Sequence, residues 1–153
     1  KEGYSFEKWD RKIPTNMPAE NITITAIWKI NQYTISFNTD GGSEIAPITQ
    51  NYGTTIAKPN NPIKTGYTFA RWTPEIPATM PAQNMTINAN WTVNQYTITF
   101  NTDGGNTIDA ITQDYNTAIT TPANPKKEGH TFKDWTPTVP KRMPAQDMTI
   151  KAN

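Results

Sequence analysis

The chain has no cysteine, a single histidine and no long apolar run. Without cysteine there can be no disulfide framework, no thiol nucleophile and no cysteine-ligated metal. The apolar stretches fall far short of the roughly 20 residues a membrane-spanning helix needs, so no membrane insertion is expected of this segment. Charge is scarce too. Asp, Glu, Lys and Arg make up 18% of the residues and the formal net charge is +1, which gives no electrostatic case for nucleic acid or an anionic surface. Hydrophobic residues reach only 35%, thin for a globular domain.

What is present is a period. The sequence matches itself at an offset of 63 residues without a gap: NQYTISFNTDGG starts at Asn31 and NQYTITFNTDGG at Asn94. Of the 60 positions paired between Asn31–Asn90 and Asn94–Asn153, 38 are identical. Gly3, Phe6, Trp9, Met17, Pro18 and Trp28 fall in the same register on Gly66, Phe69, Trp72, Met80, Pro81 and Trp91. A fixed period of this size points to a tandem array. Residues 1–29 read as the C-terminal part of a truncated repeat, 30–92 as a complete repeat, and 93–153 as a nearly complete one lacking its final Trp. Both ends are therefore expected to cut through repeats of a longer protein.

Within a repeat the apolar residues alternate with period two, the mark of strands with one buried face. Strands are expected at Tyr33–Phe37 and Tyr96–Phe100, at Met85–Trp91 with its equivalent Ile22–Trp28, at Gly66–Trp72, and over Ile48–Ile56 with a bend at 51–54. Prolines at 59, 62, 74, 77 and 81 exclude regular helix from the segment Pro74–Pro81. At most a short helical turn is expected in the region Ile56–Lys64. The Asp-Gly-Gly runs at Gly41, Gly42 and Gly104, Gly105 predict tight turns. Gly53 is replaced by Asn116, and these two residue types most readily accept positive φ, so a left-handed backbone is expected at both positions.

A unit of about 60 residues buries little of its surface, and with no disulfide or obvious metal the aromatics are expected to carry the core. The candidates are Tyr33, Phe37, Phe69, Trp72 and Trp91 in the middle repeat, and Tyr96, Phe100, Phe132 and Trp135 in the last. Trp72 and its equivalents look like the anchor of each core. Linkers between Trp28 and Tyr33 and between Trp91 and Tyr96 hold four residues with no Gly, Ser or Pro, each with one β-branched apolar residue, Ile30 or Val93. Such linkers are stiff, so successive repeats are expected to be held close, with Ile30 and Val93 packed into the junction.

Three motifs now stand together: Tyr-Thr-Ile-x-Phe-Asn-x-x-Gly-Gly, Gly-Tyr-Thr-Phe-x-x-Trp, and Met-Pro-Ala-x-Asn-Met-Thr-Ile-x-Ala-x-Trp. In combination they resemble the Listeria–Bacteroides repeat, also called the internalin-type B repeat, over essentially the whole chain. The resemblance implies a mainly β fold made of small α+β, β-grasp-like modules of about four strands in tandem. It implies no catalytic residues. It also implies a secreted or wall-attached bacterial surface protein in which such repeats serve as stalks of adhesins. Family members often carry Gly before the first Trp, where this chain has Lys8, Arg71 and Asp134.

No catalytic, cofactor or metal site is expected. His130 aligns with Tyr67 and Tyr4, and Glu44 and Glu75 become Thr107 and Thr138, so no acid–base pair recurs. Asn38 and Asp40 offer too few carboxylates for Ca²⁺. Lys64, with Lys1 and Lys127 at its equivalent positions, stands near Asn61 or Asn124, but a Pro-rich loop is a poor place for a Lys–Asn isopeptide bond. Asn21 and Asn84 fit the glycosylation pattern, but Asp147 at the third position favours a strand-entry role. Tyr52 and Tyr115 are candidates for an exposed aromatic platform. The expected partners are neighbouring repeats of the same chain. Binding of a host protein or glycan by avidity is the alternative, and self-association into a fibre is a third.

Overall fold

A computed structural model describes all 153 residues. It contains ten strands: β1 (Tyr4–Trp9), β2 (Ala26–Ile30), β3 (Gln32–Asn38), β4 (Ile48–Asn51), β5 (Tyr67–Thr73), β6 (Met85–Val93), β7 (Gln95–Asn101), β8 (Ile111–Asp114), β9 (Trp135–Thr136) and β10 (Met148–Ala152). The fold is mainly β, in small sheets that follow the repeat. β1 and β2 form an antiparallel pair, and two four-stranded sheets run in the orders β4-β3-β6-β5 and β8-β7-β10-β9.

Each four-stranded sheet has a parallel pair at its centre, and the two pairs share one register. Ile35 faces Met85 and Phe37 faces Ile87 in the first, while Ile98 faces Met148 and Phe100 faces Ile150 in the second. The alternation that marks these strands is what buries them: Ile35, Ile87, Ile98 and Ile150 are completely buried, and their polar neighbours Ser36, Thr86, Thr99 and Thr149 are exposed.

There is no helix. The turn expected in 56–64 is irregular backbone instead. Pro59 and Pro62 remove two donors and bias the residues before them away from helical angles, and the Ile56 N–H is already used, donating to the Ala78 carbonyl (3.0 Å). The fourth strand is shorter than expected as well, since β4 ends at Asn51 and the chain turns at Tyr52–Gly53. The left-handed positions are where the sequence puts them: φ is 75° at Gly53 and 62° at Asn116. At the Asp-Gly turns φ is 48° and 81° for Asp40 and Gly41, and 52° and 87° for Asp103 and Gly104, as a type I′ turn requires. Asn38 and Asn101 brace these turns, each side-chain Oδ1 accepting the N–H of Asp40 (3.1 Å) or Asp103 (2.9 Å).

The chain divides into two compact units, Lys1–Pro62 with Arg71–Ala89, and Ile63–Ala70 with Asn90–Asn153. Each unit therefore joins parts of two successive repeats: the first holds residues 1–29 with most of the 30–92 repeat, the second the remaining pieces of that repeat with 93–153. The core of the first is Ile35, Ile56, Trp72, Ile76, Met80, Ile87 and Ala89; that of the second is Ile98, Phe100, Trp135, Met143 and Ile150. Trp72 and Trp135 are buried, with Phe37 and Phe100 set against them at ring-centre distances of 5.3 and 5.2 Å. Tyr33, Phe37, Phe69, Trp91, Tyr96 and Phe132 are half-buried. The completely enclosed side chains are aliphatic, with Met80 and Met143 joining the four isoleucines.

Those two methionines are held by backbone. The Gly53 N–H donates to the Met80 carbonyl and the Met80 N–H to the Thr54 carbonyl, both at 2.9 Å. Asn116, Met143 and Thr117 repeat the pattern at the same distances. The first half of each complete repeat thus clamps the proline-rich segment of the second half, and the methionine between them has nowhere to go but the core.

Candidate functional site

Because each compact unit spans a repeat boundary, the junctions between repeats lie inside the units and can be described atom by atom. In the first unit the junction residue is Asn31. Its N–H donates to the Gly3 carbonyl (2.9 Å), and its own carbonyl accepts the Tyr52 N–H (2.9 Å). Its side-chain Oδ1 accepts the Ser5 hydroxyl (2.7 Å), and its Nδ2 donates to the Tyr33 hydroxyl (3.4 Å). One asparagine thereby ties the hairpin of one repeat to β3 and to the turn after β4 in the next.

The second unit repeats this set. The Asn94 N–H donates to the Gly66 carbonyl (2.9 Å), its carbonyl accepts the Tyr115 N–H (2.8 Å), its Oδ1 accepts the Thr68 hydroxyl (2.6 Å) and its Nδ2 donates to the Tyr96 hydroxyl (3.4 Å). Ser5 and Thr68 are interchangeable here because the bond needs only a hydroxyl.

A tyrosine completes each clasp. Gly3 and Gly66 have φ of 71° and 78°, and a Cβ on either would stand 2.0 Å from Tyr52 Cδ1 or 2.1 Å from Tyr115 Cδ1. Glycine is needed twice over, for the left-handed backbone and for the space the ring fills. Tyr4 and Tyr67 meet the same rings edge-on at 6.1 and 5.9 Å. Tyr52 and Tyr115 are half-buried in this contact. They do not form an exposed platform, because each ring is turned onto the glycine of the preceding hairpin. Ile30 and Val93, the last residues of β2 and β6, are half-buried beside the junction asparagines.

The remaining candidates resolve individually. Asn84 Oδ1 accepts the Thr34 N–H (2.8 Å), and Asp147 Oδ1 accepts the Thr97 N–H (2.8 Å). The position needs an acceptor oxygen, which explains why Asn and Asp alternate there. Lys1 and Lys64 lie over aromatic rings, 4.1 Å from the centre of Tyr4 and 4.7 Å from that of Tyr67. Lys127 reaches Asp103 instead (3.4 Å), and Lys151 approaches the other carboxylate oxygen (3.8 Å). These two lysines, Lys151 the more strongly, hold the Asp103 carboxyl below its ordinary range. His130 is exposed, with Nδ1 2.9 Å from the Glu128 carbonyl oxygen. No three His, Asp or Glu side chains converge on one point.

The family model of the Listeria-Bacteroides repeat domain matches residues 33–93 and again 96–152. The chain belongs to this family. Two proteins of Evansella cellulosilytica are similar to it over 88% of its length, at 35% and 32% identity; they bear the names "Putative membrane protein" and "Putative Gly-rich membrane protein". Internalin H of Listeria monocytogenes is 36% identical over 61% of the chain. The chain spans only 23%, 18% and 20% of these three relatives. No solved structure matches. The two matched spans of the Listeria-Bacteroides repeat begin at Tyr33 and Tyr96, two residues after the junction asparagines, so the Asn94 clasp joins the first matched copy of the family domain to the second. No helix here is long and apolar enough to cross a membrane.

Proposed function

We propose that this chain is a spacer segment of a bacterial extracellular surface protein, whose linked repeats hold another domain away from the surface. The observation that carries it is the recurrence of the junction: Asn31 and Asn94 make the same four hydrogen bonds, with no bond differing by more than about 0.1 Å between the two. A segment built to bind or catalyse has no need to make its joints identical, whereas a spacer does. The likeness to Internalin H and to the two proteins named as membrane proteins supports placement at the cell surface. The sheet order, with a parallel central pair flanked by antiparallel strands, supports a β-grasp reduced to its sheet. No catalysis is assigned to it.

Small-angle scattering of the chain tests the spacer reading. An extended profile that does not change with ionic strength is expected. A compact globular profile would overturn it.

A further inference from the structure

The two junctions share their clasp but differ beside it. At the first, an open groove of about 830 Å³ runs along the clasp, lined by Ser5, Lys29, Ile30, Gln32, Tyr33 and Asn51 beside the junction asparagine. That volume falls in the roughly 300–1,000 Å³ range of small-ligand sites. All of these residues belong to one compact unit. Ser5, Lys29 and Gln32 are exposed. Their equivalents Thr68, Thr92 and Gln95 are exposed too, although the repeat before them is complete. The exposure therefore belongs to the junction itself.

Two replacements set the grooves apart. Gln32 stands opposite Asn51 in the β3–β4 ladder, and Gln95 stands opposite Asp114 in the β7–β8 ladder. In the second pair the Gln95 Nε2 donates to the Asp114 carboxylate (2.9 Å). No such bond joins Gln32 to Asn51, and both carboxamides are left to solvent. A carboxamide both donates and accepts, which suits the hydroxyls of a sugar. The Ser5 hydroxyl donates to Asn31 and keeps its lone pairs, while the Tyr33 hydroxyl accepts from Asn31 and keeps its proton. The only charge in the lining is Lys29, which has no ion-pair partner and is replaced by neutral Thr92 at the second junction. The first groove thus offers a cation and open amides; the second offers a carboxylate and no cation.

We propose that the first groove binds an acidic sugar, a pyranose bearing a carboxylate of the uronic or sialic acid kind. Lys29 takes the carboxylate, and the carboxamides of Gln32 and Asn51 take ring hydroxyls. Tyr33 and Ile30 present apolar surface to the C–H face of the ring. The second groove rejects the same ligand, because Asp114 repels the carboxylate and already occupies Gln95. The inference holds whether or not the array acts as a spacer.

The test is to titrate the full 153-residue chain at low salt with trigalacturonic acid and with sialyllactose, using lactose and acetate as controls, and to follow it by NMR. Saturable shifts of the Gln32 and Asn51 side-chain amides are expected with at least one acid, with the Gln95 amide unmoved. Which acid binds identifies the kind of sugar. Lactose and acetate should leave these signals in place. Lys29→Ala and Asn51→Asp should each weaken binding at least tenfold. Thr92→Lys combined with Asp114→Asn should add a second site and double the stoichiometry. Silence of both acids at tens of millimolar overturns the inference, as does an equal response to lactose or acetate. Undiminished binding by Lys29→Ala, or no second site in the paired variant, overturns it as well.

Discussion

Tyr115 occupies the space that a side chain on Gly66 would need: a Cβ there would lie 2.1 Å from the ring's Cδ1 and 2.2 Å from Cγ. The same relation joins Tyr52 to Gly3, and it is absent at Gly129, where the backbone is equally left-handed (φ 72°) but nothing lies within 4 Å. Three glycines at one repeat position thus separate two physical requirements, conformation and space.

Gly129→Ala should cost only the left-handed backbone, about 1–2 kcal/mol. Gly66→Ala should cost more, because the ring must leave as well. Tyr115→Ala made on top of Gly66→Ala should recover part of the difference. Urea unfolding of these three variants, with Tyr115→Ala alone as the fourth, measures this coupling.

Asn94→Ala removes a hydroxyl's acceptor and a donor to Tyr96 but leaves both backbone bonds of the clasp. A loss of about 0.5–1.5 kcal/mol per bond is expected. Hydrogen exchange at the Tyr115 amide should accelerate selectively. Unchanged protection there would show that the side chain does not hold the junction.

Met80→Ala and Met143→Ala each empty an enclosed site and should destabilise by about 2–5 kcal/mol. Met17→Ala, at the equivalent but exposed position, should stay within about 0.5 kcal/mol. Thermal or denaturant unfolding distinguishes the three, and an equal effect at Met17 would mean that its face is covered in solution.

Acid should weaken the last repeat through Asp103. Its carboxyl is held below the ordinary value of 3.8 by Lys151 first and Lys127 second. A carboxyl depressed in the folded state contributes stability above its unfolded value, and that contribution is lost as pH falls through the folded one. The expected loss therefore begins near pH 3.8 and runs downward. Asp103→Asn should flatten this part of the stability profile. Because the groups are exposed, about 1 M salt should do the same to the parent chain.

Much of this molecule was legible in advance. Alternation placed the strands around Tyr33–Phe37, Tyr96–Phe100 and Met85–Trp91, and the change from Gly53 to Asn116 gave away a left-handed residue. Burial was less legible. Aromatic size drew attention to Tyr33 and Trp91, but their rings are only half-covered, while Met80 and Met143 are enclosed. A methionine in a proline-rich segment carries no periodic signal, and its burial comes from backbone bonds to residues some 26 positions away.

The sequence by itself determined the period, the mainly β character, the turns and the family, because each is written in residue types at fixed short spacing. Tertiary structure decided where one body ends and the next begins. The compact units bridge the repeats because Asn31, Tyr52 and Gly3, far apart along the chain, meet through backbone bonds that the pattern of side chains does not encode.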